Sequence, residues 1–217
     1  MDYTAVCTIE SVTQERKTER TGREDAKRRA PDRVPLTAIV VTVSDSCAKG
    51  LRKDTSGEAV QQELKACGFD VVRHATVADE LREIEDLLRH AAREARLVVT
   101  TGGTGVGPRD VTPEATRAVC DRLLEGVAEL MRSEGRRETP MAVLSRAVCG
   151  TRGTSVILNV PGSPAGAVSS LRAALPVLPH ALELLSGNTE HEQRGRGEAA
   201  PNPGAEAGST QGKVEHS

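Results

Sequence analysis

The run at residues 36–44, LTAIVVTVS, constrains this chain more than any other. It is apolar and β-branched, long enough for a buried strand and too short for a typical helix, and it predicts the first central strand of a sheet. The segments after it alternate in type. Thr55, Ser56 and Gly57 open a helical pattern in Ala59, Val60, Leu64 and Cys67, which Gly68 stops. Residues 69–77 read as a strand, 79–95 as a helix and 97–101 as a second buried strand. Thr112 and Pro113 form a cap and first-turn pair for a helix reaching Glu125. Residues 146–149 and 155–160 read as strands. A last helix spans 164–185, kinked at Pro176 and Pro179. Alternation of this kind implies parallel βαβ units and an α/β fold. With one Tyr, one Phe and no Trp, the core must be built from Val, Leu, Ile and Ala, which suits a sheet sandwiched by helices.

The working domain is expected at 35–187. Residues 1–34 mix both charges with few large apolar side chains and read as a flexible arm. Its basic cluster, Lys27, Arg28 and Arg29, is either a solvated leader or a dock for an acidic partner. From Asn188 to Ser217 the composition turns to Gly, Glu, Pro, Ser and Gln, the pattern of a disordered tail. A net charge of −2, a pI near 6.2 and so few aromatics exclude polymeric nucleic acid as a partner. Five cysteines without a CxxC pair suggest neither disulfides nor a zinc knuckle, and fit a reducing cytoplasm. No apolar run approaches the roughly 18 residues of a membrane span.

Three segments carry chemistry. TTGGTGVGPRDVTPEA places Gly102, Gly103, Thr104 and Gly105 between a buried strand and a helix start, where backbone N–H groups and the helix end can cradle phosphate. The spacing is that of neither the P-loop nor the GxGxxG dinucleotide turn, which argues against a nicotinamide oxidoreductase. Asp110 at the loop exit suits Mg²⁺ and Arg109 suits phosphate oxygens. A surface ion pair or a helix cap accounts for the same residues. Asp79, in VADE at a strand end, is likewise either a helix cap or a second metal ligand. In LSRAVCGTRGTSVILNVPGSP, Ser145, Arg146 and Arg152 precede a buried strand that ends at Asn159 and turns at Pro161–Gly162. Either these residues bind an anionic headgroup or the arginines simply face solvent.

Together, TVSD at 42–45, VADE at 77–80, the glycine-rich block, LSRAVCGTRG and ILNVPGSP resemble the molybdopterin adenylyltransferases, the family that includes the matching domain of gephyrin. The resemblance covers 35–187. It implies a three-layer α/β/α sandwich with a mostly parallel central sheet that forms a homotrimer, a cytoplasmic nucleotidyltransferase of molybdenum cofactor biosynthesis. Its reaction would transfer AMP from Mg²⁺-ATP to the terminal phosphate of molybdopterin, and other enzymes of the pathway would be its partners. Asp79 and Asp110 would be the essential acidic pair and Mg²⁺ ligands. Ser145 would lie at the pterin site, with Ser44, Ser133, Arg146, Arg152 and Asn159 at matching positions. Ala78 departs from the proline often found there. A non-catalytic molybdopterin carrier or scaffold of the same fold is the alternative.

Overall fold

The structure, a computed structural model, describes residues 35–187. The expected arm at 1–34, its basic cluster and the tail at 188–217 lie outside the described residues. The run at 36–44 supplies β1 (Thr37–Val43), followed by a one-turn helix α1 (Asp45–Ala48) and α2 (Thr55–Ala66). The chain continues through β2 (Asp70–Val77), α3 (Leu81–Glu94), β3 (Leu97–Thr101), α4 (Thr112–Val119) and β4 (Arg122–Leu123). Then come α5 (Glu125–Glu138), a 3-10 turn (Pro140–Leu144), β5 (Cys149–Arg152), β6 (Ser155–Val160), α6 (Pro164–Ala174) and α7 (Leu178–Leu185).

Six strands form one sheet in the order β2-β1-β3-β6-β5-β4. The first four run parallel, and β5 is antiparallel to both β6 and β4. Successive side chains of β1 feed opposite faces of the sheet. Ala38 and Val40 pack with Val60, Leu64, Leu171 and Leu178 of the α2, α6 and α7 layer, whereas Ile39, Val41 and Val43 pack with Ile84, Leu88 and Ala115 of the α3 and α4 layer. A strand covered on both sides shows no polar alternation, and this is why 36–44 reads as one apolar run. The three-layer α/β/α sandwich is therefore present.

The structure corrects several boundaries. The helix expected to reach Glu125 ends at Val119, because Asp121 N–H donates to Thr151 O (2.7 Å) and Leu124 N–H to Cys149 O (2.8 Å), drawing this segment onto the sheet edge. The strand expected at 146–149 begins only at Cys149, since Val148 N–H is taken by the Asn159 side chain (3.2 Å). The last helix is broken, not merely kinked: Pro176 and Pro179 lack N–H donors, and 175–177 separates α6 from α7. Helix α5 is not expected from the sequence; only Ala128 and Met131 of it are buried, too thin a stripe to stand out against its charges.

Candidate active site

The carboxyl ends of β1, β2, β3 and β6 lie side by side, and the segments that follow them build one surface. Ser44 N–H donates to Val77 O (2.9 Å) and Gly102 N–H to Val160 O (3.2 Å), lacing these ends together. Open α/β sheets bind ligands at this edge. Two clefts open here, of about 420 and about 410 Å³. The first is walled by Met131, Met141, Leu144 and Ala147, with Thr104, Gly105, Ser145 and Pro161 among its other residues. The second is polar, with Ser44, Arg52, Asp54, Ser56, Asp79 and Gly102. Gly103, Asp110, Gly162 and Ser163 line both, so the glycine loop and the Pro161–Gly162 turn form the wall between them.

Glycine is required in that wall. Gly102 has φ +104, and a side chain there would drive into Val43 O. Gly103 has φ +61, and a Cβ would sit 3.2 Å from Asp79 Oδ1. Thr112, expected as a helix cap, instead donates its hydroxyl to Gly102 O (3.0 Å) and its N–H to Gly103 O (3.2 Å). It so holds the loop down, while α4 has no side-chain cap.

Neither aspartate is a helix cap. Asp79 Oδ2 accepts the Asp45 N–H (2.8 Å), Asp79 N–H donates to Asp45 Oδ1 (3.2 Å), and the N-cap of α3 is Glu80 without a side-chain bond. Asp110 Oδ2 accepts the Gly107 N–H (2.7 Å), closing the glycine loop on itself. The ion pair in this neighbourhood belongs to Arg109, which joins Asp45 (2.8 Å) and Glu80 (2.9 Å). Burial pushes the Asp79 carboxyl above its ordinary range and the Asp45 and Asp110 charges add to this, while the Asp45 N–H and Arg109 pull the other way. Arg109 holds Asp45 below its ordinary range.

Among the described residues no group of three or more His, Cys, Asp and Glu is arranged to hold a metal. Asp79 and Asp110 nonetheless fit a hard cation. Among the described residues each has one oxygen fixed by a backbone N–H and the other accepting no hydrogen bond, and Mg²⁺ takes its remaining ligands from water and phosphate.

The arginines and three other expected residues fall differently. Arg146 Nε donates to Gly105 O (2.6 Å), and its Nη groups go to Asp110 O and Glu114, so it braces the glycine loop, and it lines neither cleft. Arg152 pairs in register with Ser155 at the far end of β6 and donates to Val119 O (2.7 Å), which removes it from the site. Asn159 is fully buried, donating to Thr100 Oγ1 (2.9 Å) and Thr116 Oγ1 (2.8 Å) and accepting from Val148 N–H. It is a structural pin. Ser133 is exposed on α5 and lines neither cleft. Ser44 stays at the polar cleft, capping α1 by accepting from Cys47 N–H (3.3 Å). Burial pushes the Cys120 and Cys149 thiols up to about 11 and about 12, so neither is a nucleophile at neutral pH.

As site residues, the sequence named only Ser44 between β1 and α2 and only Ser133 on α5, and the rest of both segments was missed. Asp45 stood inside the TVSD block. Met131 was signalled only by its spacing from Ala128.

Fold and clefts define an α/β domain with two clefts at the carboxyl edge of its sheet, parted by a glycine loop set between two carboxylates. Residues 39–180 match the family described as the probable molybdopterin binding domain, and the chain belongs to that family. It is 41% identical over 153 residues to the molybdopterin adenylyltransferase of Helicobacter pylori, covering 69% of this chain and 87% of that protein. It is 34% identical to gephyrin of Dictyostelium discoideum, covering 68% of this chain and 22% of that one. The crystal structure of the molybdopterin biosynthesis enzyme MoaB from Thermus thermophilus superposes with a TM-score of 0.67 at 50% identity, covering 70% of this chain and 97% of that one.

Proposed function

We propose that this protein is a molybdopterin adenylyltransferase, transferring AMP from ATP to the terminal phosphate of molybdopterin with release of pyrophosphate. The observation that carries the reading is the shared wall: one cleft is apolar enough for a ring system, its neighbour is polar, and Gly103 and Asp110 face both. ATP phosphates would occupy the polar cleft and the pterin the apolar one, with Ser145 at its rim. A terminal phosphate oxygen of molybdopterin then forms a bond to the α-phosphorus as the bond to the β-phosphate oxygen breaks, and pyrophosphate leaves with the electron pair. The nucleophile is already an anion, so no general base is needed.

The chain's residues position and neutralise. Backbone N–H groups of the glycine loop face the phosphates, Arg146 keeps that loop in shape, and the Asp45–Arg109 pair fixes Asp79. Asp79 and Asp110 would hold Mg²⁺, which when bound supplies positive charge at the phosphates. The family resemblance supports a homotrimer in the cytoplasm working beside other enzymes of the pathway, which light scattering and fractionation would test.

The test is incubation with ATP, Mg²⁺ and molybdopterin, followed by mass analysis. An AMP adduct with stoichiometric pyrophosphate is expected, and Asp110→Asn should abolish it while molybdopterin binding persists. Binding of both substrates by the wild type without pyrophosphate release would leave a carrier.

A further inference from the structure

We infer that Arg52, in the loop between α1 and α2, grips the β- and γ-phosphates of the nucleotide and so binds the pyrophosphate leaving group. The inference rests on the assignment of ATP phosphates to the polar cleft. A polyphosphate entering that cleft meets three carboxylates, Asp54, Asp79 and Asp110, and needs cationic partners besides a metal. The arginines that the sequence offers for this are spent. Arg109 is held by Asp45 and Glu80, Arg146 by Gly105 O, Asp110 O and Glu114, and Arg152 lies at the other end of the sheet. Lys53 is paired with Glu58 at 3.0 Å.

Arg52 lines the polar cleft, is exposed, and makes no ion pair or hydrogen bond among the described residues. Its loop is fixed at both ends. Leu51 N–H donates to Ser46 O (2.8 Å), and the Asp54 carboxylate accepts from Thr42, Ser56 and Gly57 N–H (2.8 Å). The amino end of α2, at Thr55 and Ser56, opens on the same cleft and adds its partial positive charge. A guanidinium fork matches two phosphate oxygens, which a lysine cannot do. Position assigns the phosphate. Asp110 lines both clefts, where the α-phosphorus must meet the pterin phosphate, whereas Arg52 lines the polar cleft alone and is thus on the leaving-group side.

The experiment compares wild type, Arg52→Ala and Arg52→Lys in three measurements: KM for ATP, inhibition by pyrophosphate, and direct calorimetric affinity for pyrophosphate and for AMP in the presence of Mg²⁺. Arg52→Ala should raise KM for ATP and weaken pyrophosphate binding about ten- to a hundred-fold, with AMP affinity and KM for molybdopterin within about two-fold of wild type. Arg52→Lys should recover only part of this. Unchanged pyrophosphate affinity in Arg52→Ala overturns the inference, as does an equal loss of AMP affinity, which would place Arg52 at the α-phosphate. If the wild type makes no AMP adduct, it is the adenylyltransferase reading that fails, and the pyrophosphate calorimetry still decides the role of Arg52.

Discussion

Asp45 and Asp79 exchange hydrogen bonds across the ends of neighbouring strands: the Asp45 N–H donates to Asp79 Oδ2 at 2.8 Å, and the Asp79 N–H returns one to Asp45 Oδ1 at 3.2 Å. Asp45 Oδ2 also receives Arg109 Nη2 at 2.8 Å. A residue outside the expected acidic pair therefore sets the orientation of one member of it. Asp45→Ala removes the acceptor for Asp79 N–H and leaves Arg109 with Glu80 alone, and should lower the rate of AMP transfer about ten- to a hundred-fold while leaving KM for molybdopterin near wild type. Asp45→Asn keeps the acceptor oxygen and should recover part of the rate. Steady-state kinetics on the three proteins measures this, and an Asn variant as slow as the Ala variant would show that charge, not the exchanged bond, matters.

Asp79 works against stability. Folding raises its pKa, so its favourable contribution is present only at acid pH and is lost as pH rises through the folded value; at neutral pH the ionised carboxylate is a cost. Asp79→Asn should raise the thermal midpoint at pH 7 while abolishing AMP transfer. Calorimetry and the mass assay together check it.

Arg146 and Arg152 stand six positions apart in sequence and at opposite ends of the site's strands. Arg146→Ala removes three bonds to the glycine loop and its flanks, and should slow transfer and increase hydrogen exchange over residues 102–110. Arg152→Ala should leave both kinetic constants within about two-fold of wild type. Equal effects of the two substitutions would contradict the geometry.

The acid limb of stability should report Asp54. Its burial alone would raise its pKa, but the Thr42 hydroxyl, the Gly57 N–H, His74 at 2.9 Å and the Ser56 hydroxyl outweigh that and hold it below the ordinary 3.8. A lowered folded pKa means stability that is fully present above about pH 4 and lost as pH falls through the folded value. In urea unfolding, wild type should exceed Asp54→Asn at pH 6, and the gap should narrow as the pH falls through the lowered folded value.

The sheet and most of its helices were legible because β1, β3 and β6 are rich in β-branched and apolar residues and α3 has a clear amphipathic stripe. Helix α5 was not, having little buried surface of its own. In the site, Asp79, Asp110 and the glycine loop stood out by their placement at strand ends. What a side chain does once there depends on partners distant in sequence. Arg146 and Asn159 carry the same residue types as ligand-binding groups, yet the fold consumes the first in bracing a loop 41 positions away and the second in joining Thr100 and Thr116. Arg52 was hidden for the converse reason, since only the fold shows that no described residue claims it.

A wall shared by two clefts has a kinetic corollary. In the proposed arrangement each substrate would touch it from one side only, but a molecule spanning it would be tethered at both ends, and release of one end would leave the other at high effective concentration. Adenylylated molybdopterin would span it in this way. Such a product should dwell on the protein far longer than ATP or molybdopterin, making the domain a chaperone for its product as much as a catalyst.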